Sequence, residues 1–270
     1  MSTLPPVISF RDVCYAYPEA EDYALEGITF EVPACGTEII LGGSGSGKST
    51  ILKLILGLIK PESGTVEVDG ADIGKMGEDE LMTVRAKMGM VFQEGALFDS
   101  LTVAENVGFR LRDKEQVSDE EFAERVRPLL GFVELDEFYD RMPSELSGGQ
   151  RRRVAVARAM AHRPELILYD EATTGLDPIT ASTICNLMVK LRDLEGVSTV
   201  LVTHQLRDAF QIAQEFVFMR DGQITYNRID DLNVLDGVEF MVLNEGRAVF
   251  RGRQKELWET DNPYVRRFLS

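Results

Sequence analysis

Gly42-Gly43-Ser44-Gly45-Ser46-Gly47-Lys48-Ser49-Thr50 has the spacing G-x-x-x-x-G-K-[ST], the pattern of a loop that wraps phosphate. Small residues let backbone N–H groups curl around an anion without Cβ atoms in the way. A helix starting near Lys48 would aim its positive end and free N–H groups at the same anion. Lys48 adds a point charge toward the β/γ-phosphates, and the Ser49 hydroxyl is a ligand for Mg²⁺. Further along, Leu166-Ile167-Leu168-Tyr169-Asp170-Glu171 is an apolar run ending in two acids. Carboxylates at a buried strand tip are costly unless a cation or hydrogen bonds meet them. Mg²⁺ beside the phosphates would be that cation. Asp170 would hold it, through water, and Glu171 would orient the attacking water or accept its proton. The chemistry these two motifs support is hydrolysis of a bound nucleotide's phosphate beside Mg²⁺.

These groups need elements to carry them. Residues 7–13, 28–32 and 38–41 read as strands, the last ending in the glycines. Residues 48–58 form a helical pattern, apolar almost all round and so expected to be buried. A strand over 65–68 ends at Asp69-Gly70, followed by a helix over 79–87 and a strand over 88–92. Residues 95–161 carry no strand signal, and Ser118-x-x-Glu121 has the form of a capping box opening a helix there. Strands over 166–169 and 199–202 flank a helix over 179–194. Strands alternating with helices imply a parallel sheet, and an all-helical block between strands implies a second lobe. Residues 216–226 and 240–250 repeat one pattern, strand, acid-glycine turn, strand, each predicting a β-hairpin.

Composition limits the function classes. The 270 residues carry 29 Lys+Arg against 45 Asp+Glu, a net charge of -16, with 44% hydrophobic and 27% charged residues. That is a chain able to bury a core, and the acidity argues against gripping nucleic acid. Arg151-Arg152-Arg153 is therefore read as a solvated helix face. Cys14, Cys35 and Cys185 lack Cys-x-x-Cys spacing, which excludes a disulfide scaffold or zinc ribbon and suggests a reducing compartment. His162 and His204 alone make a histidine metal site an unpromising reading. The N-terminus lacks signal-peptide features, and the apolar run 51–59 is far short of the ~20 residues of a membrane span.

Leu146-Ser147-Gly148-Gly149-Gln150 resembles the signature motif of ABC-transporter ATPase subunits, and the order of the other motifs matches that family. The resemblance covers about residues 7–225 and 240–269. It implies an α/β P-loop NTPase fold, with a RecA-like parallel-sheet core, an N-terminal antiparallel β subdomain and an inserted α-helical subdomain. The expected division is an ATPase domain over 7–250, its core about 7–94 and 162–226, its helical subdomain about 95–161. Residues 227–270 are then an extra hairpin and helical tail. By resemblance, Gln93 reaches Mg²⁺ and the attacking water. Ser147, Gly148, Gly149 and Gln150 meet the γ-phosphate across a homodimer interface, where Asp177 of Gly175-Leu176-Asp177 also lies. His204 contacts the γ-phosphate. Tyr17 stacks on adenine, with Tyr15 the second candidate.

Residues 91–107, Val-Phe-Gln-Glu-Gly-Ala-Leu-Phe-Asp-Ser-Leu-Thr-Val-Ala-Glu-Asn-Val, resemble the Mla/Mce-type lipid-transport branch of the family, as do 142–149 and 262–269. That branch implies phospholipid movement across the cell envelope; the alternatives are an ABC transporter for another small-molecule substrate, or a non-transport ABC ATPase acting on nucleic acid. The branch's partners are an integral-membrane permease, an Mce-domain protein and a STAS-domain subunit, with no nucleic acid. The chain is then expected at the cytoplasmic face of the inner membrane, peripheral through the permease. Ala96, Leu97 and Phe98 either line a groove for a permease helix or begin the helical core. Gln150 stands where that branch often has methionine, and Ala172 where proline usually follows the catalytic glutamate. The acidic segment 227–239 is an insertion or a partner contact.

Overall fold

The computed structural model describes residues 5–115, 117–229 and 237–270. The chain opens with β1 (Ile8–Tyr15) and β2 (Leu25–Val32), then β3 (Thr37–Gly42) and α1 (Lys48–Ile55). Next come β4 (Ser63–Val68), β5 (Ala71–Asp72), α2 (Glu78–Arg85) and β6 (Met88–Val91). A run without strands holds α3 (Val103–Val107), α4 (Phe109–Glu115), α5 (Asp119–Phe132) and α6 (Gly148–Met160). Then follow β7 (Leu166–Asp170), α7 (Pro178–Glu195), β8 (Ser198–Thr203) and α8 (Leu206–Gln214). The chain closes with β9 (Glu215–Arg220), β10 (Gln223–Arg228), β11 (Val238–Asn244), β12 (Arg247–Gly252), α9 (Gln254–Glu259) and α10 (Pro263–Leu269).

Three sheets result: β2-β1-β4-β5, the ribbon β10-β9, and a six-stranded sheet β12-β11-β3-β8-β7-β6. In the large sheet all pairings are parallel except that of β12. Its strands alternate between two apolar layers, as parallel strands covered on both faces must. Ile39, Leu41, Ile167, Tyr169, Leu201, Phe240 and Val242 point into a layer shared with α3, α5, α6 and α7. Ile40, Leu166, Leu168, Val200, Val202, Met241 and Leu243 point into the other, against α1 and the antiparallel sheet. The register brings the carboxyl ends of β3, β8 and β7 level: Leu41 pairs Thr203 and Asp170 pairs Val202. Ligands bind at that edge in parallel α/β sheets.

The structure departs from the sequence reading at several places. The helix from Lys48 ends at Ile55 rather than at 58. Gly57 adopts φ +62°, its N–H bonds Leu54 O at 2.9 Å, and Leu58 N–H bonds Lys53 O at 2.9 Å. This pair of bonds terminates the helix with a left-handed glycine. Ser118 caps α5 by accepting from Glu121 N–H at 3.2 Å. The Glu121 carboxylate turns instead to Arg125, so only half the capping box forms.

Both hairpins exist, but their places are the reverse of the expected division. The expected core ends at about 226, yet β11 pairs with β3 from Val238↔Thr37 to Leu243↔Gly42. It is β9–β10 that stands as a separate ribbon. Burial explains the choice. Val238, Phe240 and Val242 of β11 fit one apolar layer and Met241 and Leu243 the other, whereas β9 fully buries Val217 alone. Of the acidic segment, residues 230–236 lie outside the described residues. Arg151, Arg152 and Arg153 are not a solvated face. Arg151 donates to Leu146 O, Arg152 to Ala172 O and Thr174 O, and Arg153 to Val133 O and Glu134 O. Charge count alone could not reveal the carbonyls they satisfy.

Candidate active site

The loop between β3 and α1 is shaped by glycine where nothing else fits. A Cβ on Gly47, at φ +105°, would sit 2.6 Å from Ala24 O. One on Gly42 would sit 2.5 Å from Ser46 Oγ and 2.7 Å from Leu243 O. The turn of the second hairpin props the loop from outside, with Gly246 N–H bonding Ser46 O at 3.2 Å. Lys48, only 7% exposed, folds back so that Nζ donates to Gly42 O and Gly43 O, both at 2.9 Å. Ser46 Oγ is buried with no hydrogen-bond partner among the described residues. A glycine-walled curl, an orphaned buried hydroxyl and a lysine already in place fit a bound phosphate.

At the end of β7 the Ser49 hydroxyl donates to Asp170 Oδ1 at 3.2 Å. Burial pushes the Asp170 carboxyl above its ordinary value, the condition that an added cation would relieve. Among the described residues no group of three or more His, Cys, Asp or Glu is arranged to hold a metal. Two hard oxygens from the protein, Ser49 and Asp170, suit Mg²⁺, which takes few protein ligands and keeps waters and substrate phosphates. Glu171 lies in the left-handed region at φ +50°, a strained position for a residue with a side chain. Its N–H bonds Val202 O at 3.0 Å. Its carboxylate faces three groups: His204 Nδ1 at 2.8 Å, Thr174 Oγ1 at 2.8 Å and Lys48 Nζ at 3.5 Å. Burial alone would raise this carboxyl. The hydrogen bonds from His204 and Thr174 and the nearby charges of His204 and Lys48 outweigh it, so it sits below the usual range. An ionised carboxylate so held can accept a proton. Thr174 escaped sequence reasoning; its signal is the spacing Glu171-x-x-Thr174 in a tight turn, closed by Thr174 N–H to Glu171 O at 3.0 Å.

The remaining candidates fall into two groups. Gln93 is exposed two residues beyond Val91, whose sheet partner Tyr169 lies two before Glu171. Tyr17 is joined to α1 by Thr50 Oγ1 at 3.1 Å and Lys53 Nζ at 3.2 Å, while Tyr15 is buried in the core. So Tyr17, Gly42 to Thr50, Gln93, Asp170, Glu171 and His204 share one edge. The second group is elsewhere. Ser147 caps α6, accepting from Gln150 N–H at 3.3 Å, and Gln150 Oε1 accepts from Ser147 N–H at 2.7 Å. Asp177 caps α7 through the N–H groups of Ile179 and Thr180, both at 3.1 Å. These caps abut, since a Cβ on Gly149 would meet Thr180 Cγ2 at 2.2 Å. Among the described residues no hydrogen bond or ion pair joins Ser147, Gly148, Gly149 or Gln150 to the phosphate loop. Of residues 96–98, the structure bears on the core reading. Leu97 packs on the core, while Phe98, 45% exposed, lines a cleft of about 320 Å³ with Met88, Met90 and Phe109. Asn106, which the sequence reading passed over, shapes that turn by bonding both the N–H and O of Phe98.

The family model described as ABC transporter matches residues 25–174. The methionine import ATP-binding protein of Corynebacterium jeikeium is 39% identical over 219 residues, 80% of this chain and 59% of that protein. An energy-coupling factor transporter ATP-binding protein of Lacticaseibacillus paracasei is 39% identical over 219 residues, 81% of this chain and 77% of that protein. The chain spans roughly half to two thirds of the length of the methionine-import relatives it matches. Among solved structures, the ATP-binding cassette MJ0796, a dimer bound to ADP and Pi, is similar with TM-score 0.76 and 32% identity. It covers 92% of this chain and 98% of its own. The cbiO1 protein of Clostridium perfringens, part of the cbiONQ transporter complex, is similar with TM-score 0.78 and 26% identity, covering 98% and 94%.

Proposed function

Since the chain belongs to the ABC transporter family, with that family's ATPase fold, we propose that it is an ATP-hydrolysing subunit that drives a partner permease. The observation carrying this reading is the Glu171 carboxylate, bonded by His204 and Thr174 and 3.5 Å from the lysine of an anion cradle. The 42–50 loop and Lys48 bind the phosphates, and Tyr17 stacks on adenine. Ser49 and Asp170, with Gln93, hold Mg²⁺, which when bound neutralises phosphate charge. Glu171 takes the proton of the attacking water, and His204 fixes the carboxylate and meets the γ-phosphate. Ser147, Gly148, Gly149, Gln150 and Asp177 act on the nucleotide of a second copy. They stand together at the abutting, capped starts of α6 and α7, and a helix N-terminus capped by serine and glycine can also bind phosphate, which supports that assignment. Closure of two copies on ATP is then the power stroke. Moving an equilibrium from 1:99 to 99:1 takes about 5.5 kcal/mol of differential binding. A few charge-assisted phosphate contacts of ~1.5–3 kcal/mol each are enough.

Among the described residues no helix is long and apolar enough to cross a membrane. Attachment is therefore proposed through the permease, at the cytoplasmic face, with the cleft at Phe98 receiving it. The names of the relatives favour a small-molecule cargo. The resemblance of 91–107 to the Mla/Mce-type branch favours a lipid, with Mce-domain and STAS-domain partners, as the second reading. Purification of the native complex from membranes, with mass spectrometry of its proteins and bound small molecules, tests both. A permease without an Mce-domain protein or lipid supports the first reading. An Mce-domain protein with phospholipid supports the second, and no permease at all refutes the subunit assignment.

A further inference from the structure

The helix that begins at the Ser147 cap is bound along its length to the loops of the other group. Arg158 donates to Gly95 O and Ala96 O, both at 2.7 Å, holding the turn after Gln93. A Cβ on Gly95 would sit 3.2 Å from Arg151 O, so that turn lies directly on α6. Arg152 runs to the loop after Glu171. Its Nε donates to Ala172 O at 3.1 Å and its Nη2 to Thr174 O at 3.2 Å. The side chain is buried, 7% exposed as a residue, and Glu94 is the acid whose charge it feels. Thr174 in turn donates through Oγ1 to Glu171 Oε2 at 2.8 Å. One planar guanidinium therefore grips two carbonyls of the four-residue turn 171–174, whose first residue, Glu171, has a strained positive φ. A buried cation is costly, and packing alone does not require one here.

We propose that Arg152 is the positioning residue for Glu171, tying the placement of the carboxylate to the helix whose N-terminus faces the second copy. The inference rests on Glu171 acting on the attacking water. Arg152 acts through the main chain, on the oxygens of Ala172 and Thr174. It fixes two carbonyls, the turn between them fixes Thr174, and Thr174 fixes the carboxylate. Movement of α6 therefore shifts Glu171 within the same chain.

The test compares Arg152→Met, Arg152→Lys and Thr174→Val in the transporter complex, with hydrogen exchange of the 172–176 amides in the nucleotide-free chain. Misplacing a reacting group by about 1 Å costs roughly 100-fold in rate. Arg152→Met is expected to lower kcat about 10- to 100-fold, with KM and ATP affinity within about threefold and faster exchange at 172–176. Arg152→Lys, able to reach one carbonyl, falls between. Thr174→Val mimics the loss, and joining it to Arg152→Lys gives less than the product of the two effects. If Arg152→Met does not fold, the other two variants decide. A kcat within threefold in all variants overturns the inference, as does a fall in ATP affinity matching the fall in kcat. Turnover surviving Glu171→Gln refutes the proposed function instead, a result distinguishable from either.

Discussion

Lys48→Ala separates nucleotide binding from fold. The ammonium rests on Gly42 O and Gly43 O at 2.9 Å and lies 3.5 Å from Glu171, so it is already where an incoming phosphate needs it. A charge-assisted hydrogen bond contributes about 1.5–3 kcal/mol, and each 1.4 kcal/mol is about tenfold in affinity. ATP affinity should therefore fall about 10- to 100-fold. The free protein loses two bonds to carbonyls, and water reaches the half-buried Gly43. With Gly42 O left buried and unpaired, that side costs about 2 kcal/mol, or roughly 4–8 °C in melting temperature for a chain near this size. The assay pairs a fluorescent-nucleotide displacement titration with melting of the nucleotide-free chain. Affinity within threefold of the unaltered protein would refute the role given to Lys48. A melting loss above ~10 °C would show that the lysine acts on the fold instead.

Glu171→Gln should keep ATP affinity within about threefold while phosphate release drops 10²–10⁴-fold, the usual range for a lost general base. Retained release sinks the assignment. Phe240→Ala should cost about 3–5 kcal/mol in denaturant unfolding, because β11 belongs to the core sheet. Met219→Ala on the ribbon should cost under ~0.5 kcal/mol, and equal losses would contradict the strand order. Glu38, 1% exposed, is pushed up to about 7 by burial, against the pull of Arg251 at 3.2 Å. A carboxyl raised in the folded state binds a proton there that the unfolded chain has released. Its contribution is thus full below about 4.5 and lost as pH rises through about 7. The change approaches ~3 kcal/mol. Glu38→Gln should therefore flatten the fall in melting temperature between pH 5 and 8, and an unchanged slope would count against it.

Residues near one another in sequence were legible because their chemistry is local. The phosphate loop announces itself by glycines whose Cβ atoms would strike Ala24 O or Leu243 O. The two-sided sheet shows in Ile39 to Leu41 and Leu166 to Tyr169, apolar at every position. What failed was what depends on distant partners. Two similar hairpins compete for the place beside β3, and only the apolar layers, assembled from strands far apart, favour β11 over β9. Arg152 looked like surface charge because its acceptors are main-chain oxygens 20 and 22 residues away, and every residue has such an oxygen. The Phe98 turn divided between groove and core because Asn106 directs its backbone from eight residues on.

On the proposed function, two copies of this chain complete each ATP site. Light scattering of the Glu171→Gln chain in saturating ATP-Mg²⁺ tests it most directly, with Ser147→Arg added on the same background. A mass of twice the 30.2 kDa chain, reverting to one chain with Ser147→Arg, is the predicted result. A nucleotide-loaded single chain, or a dimer indifferent to Ser147→Arg, would contradict it.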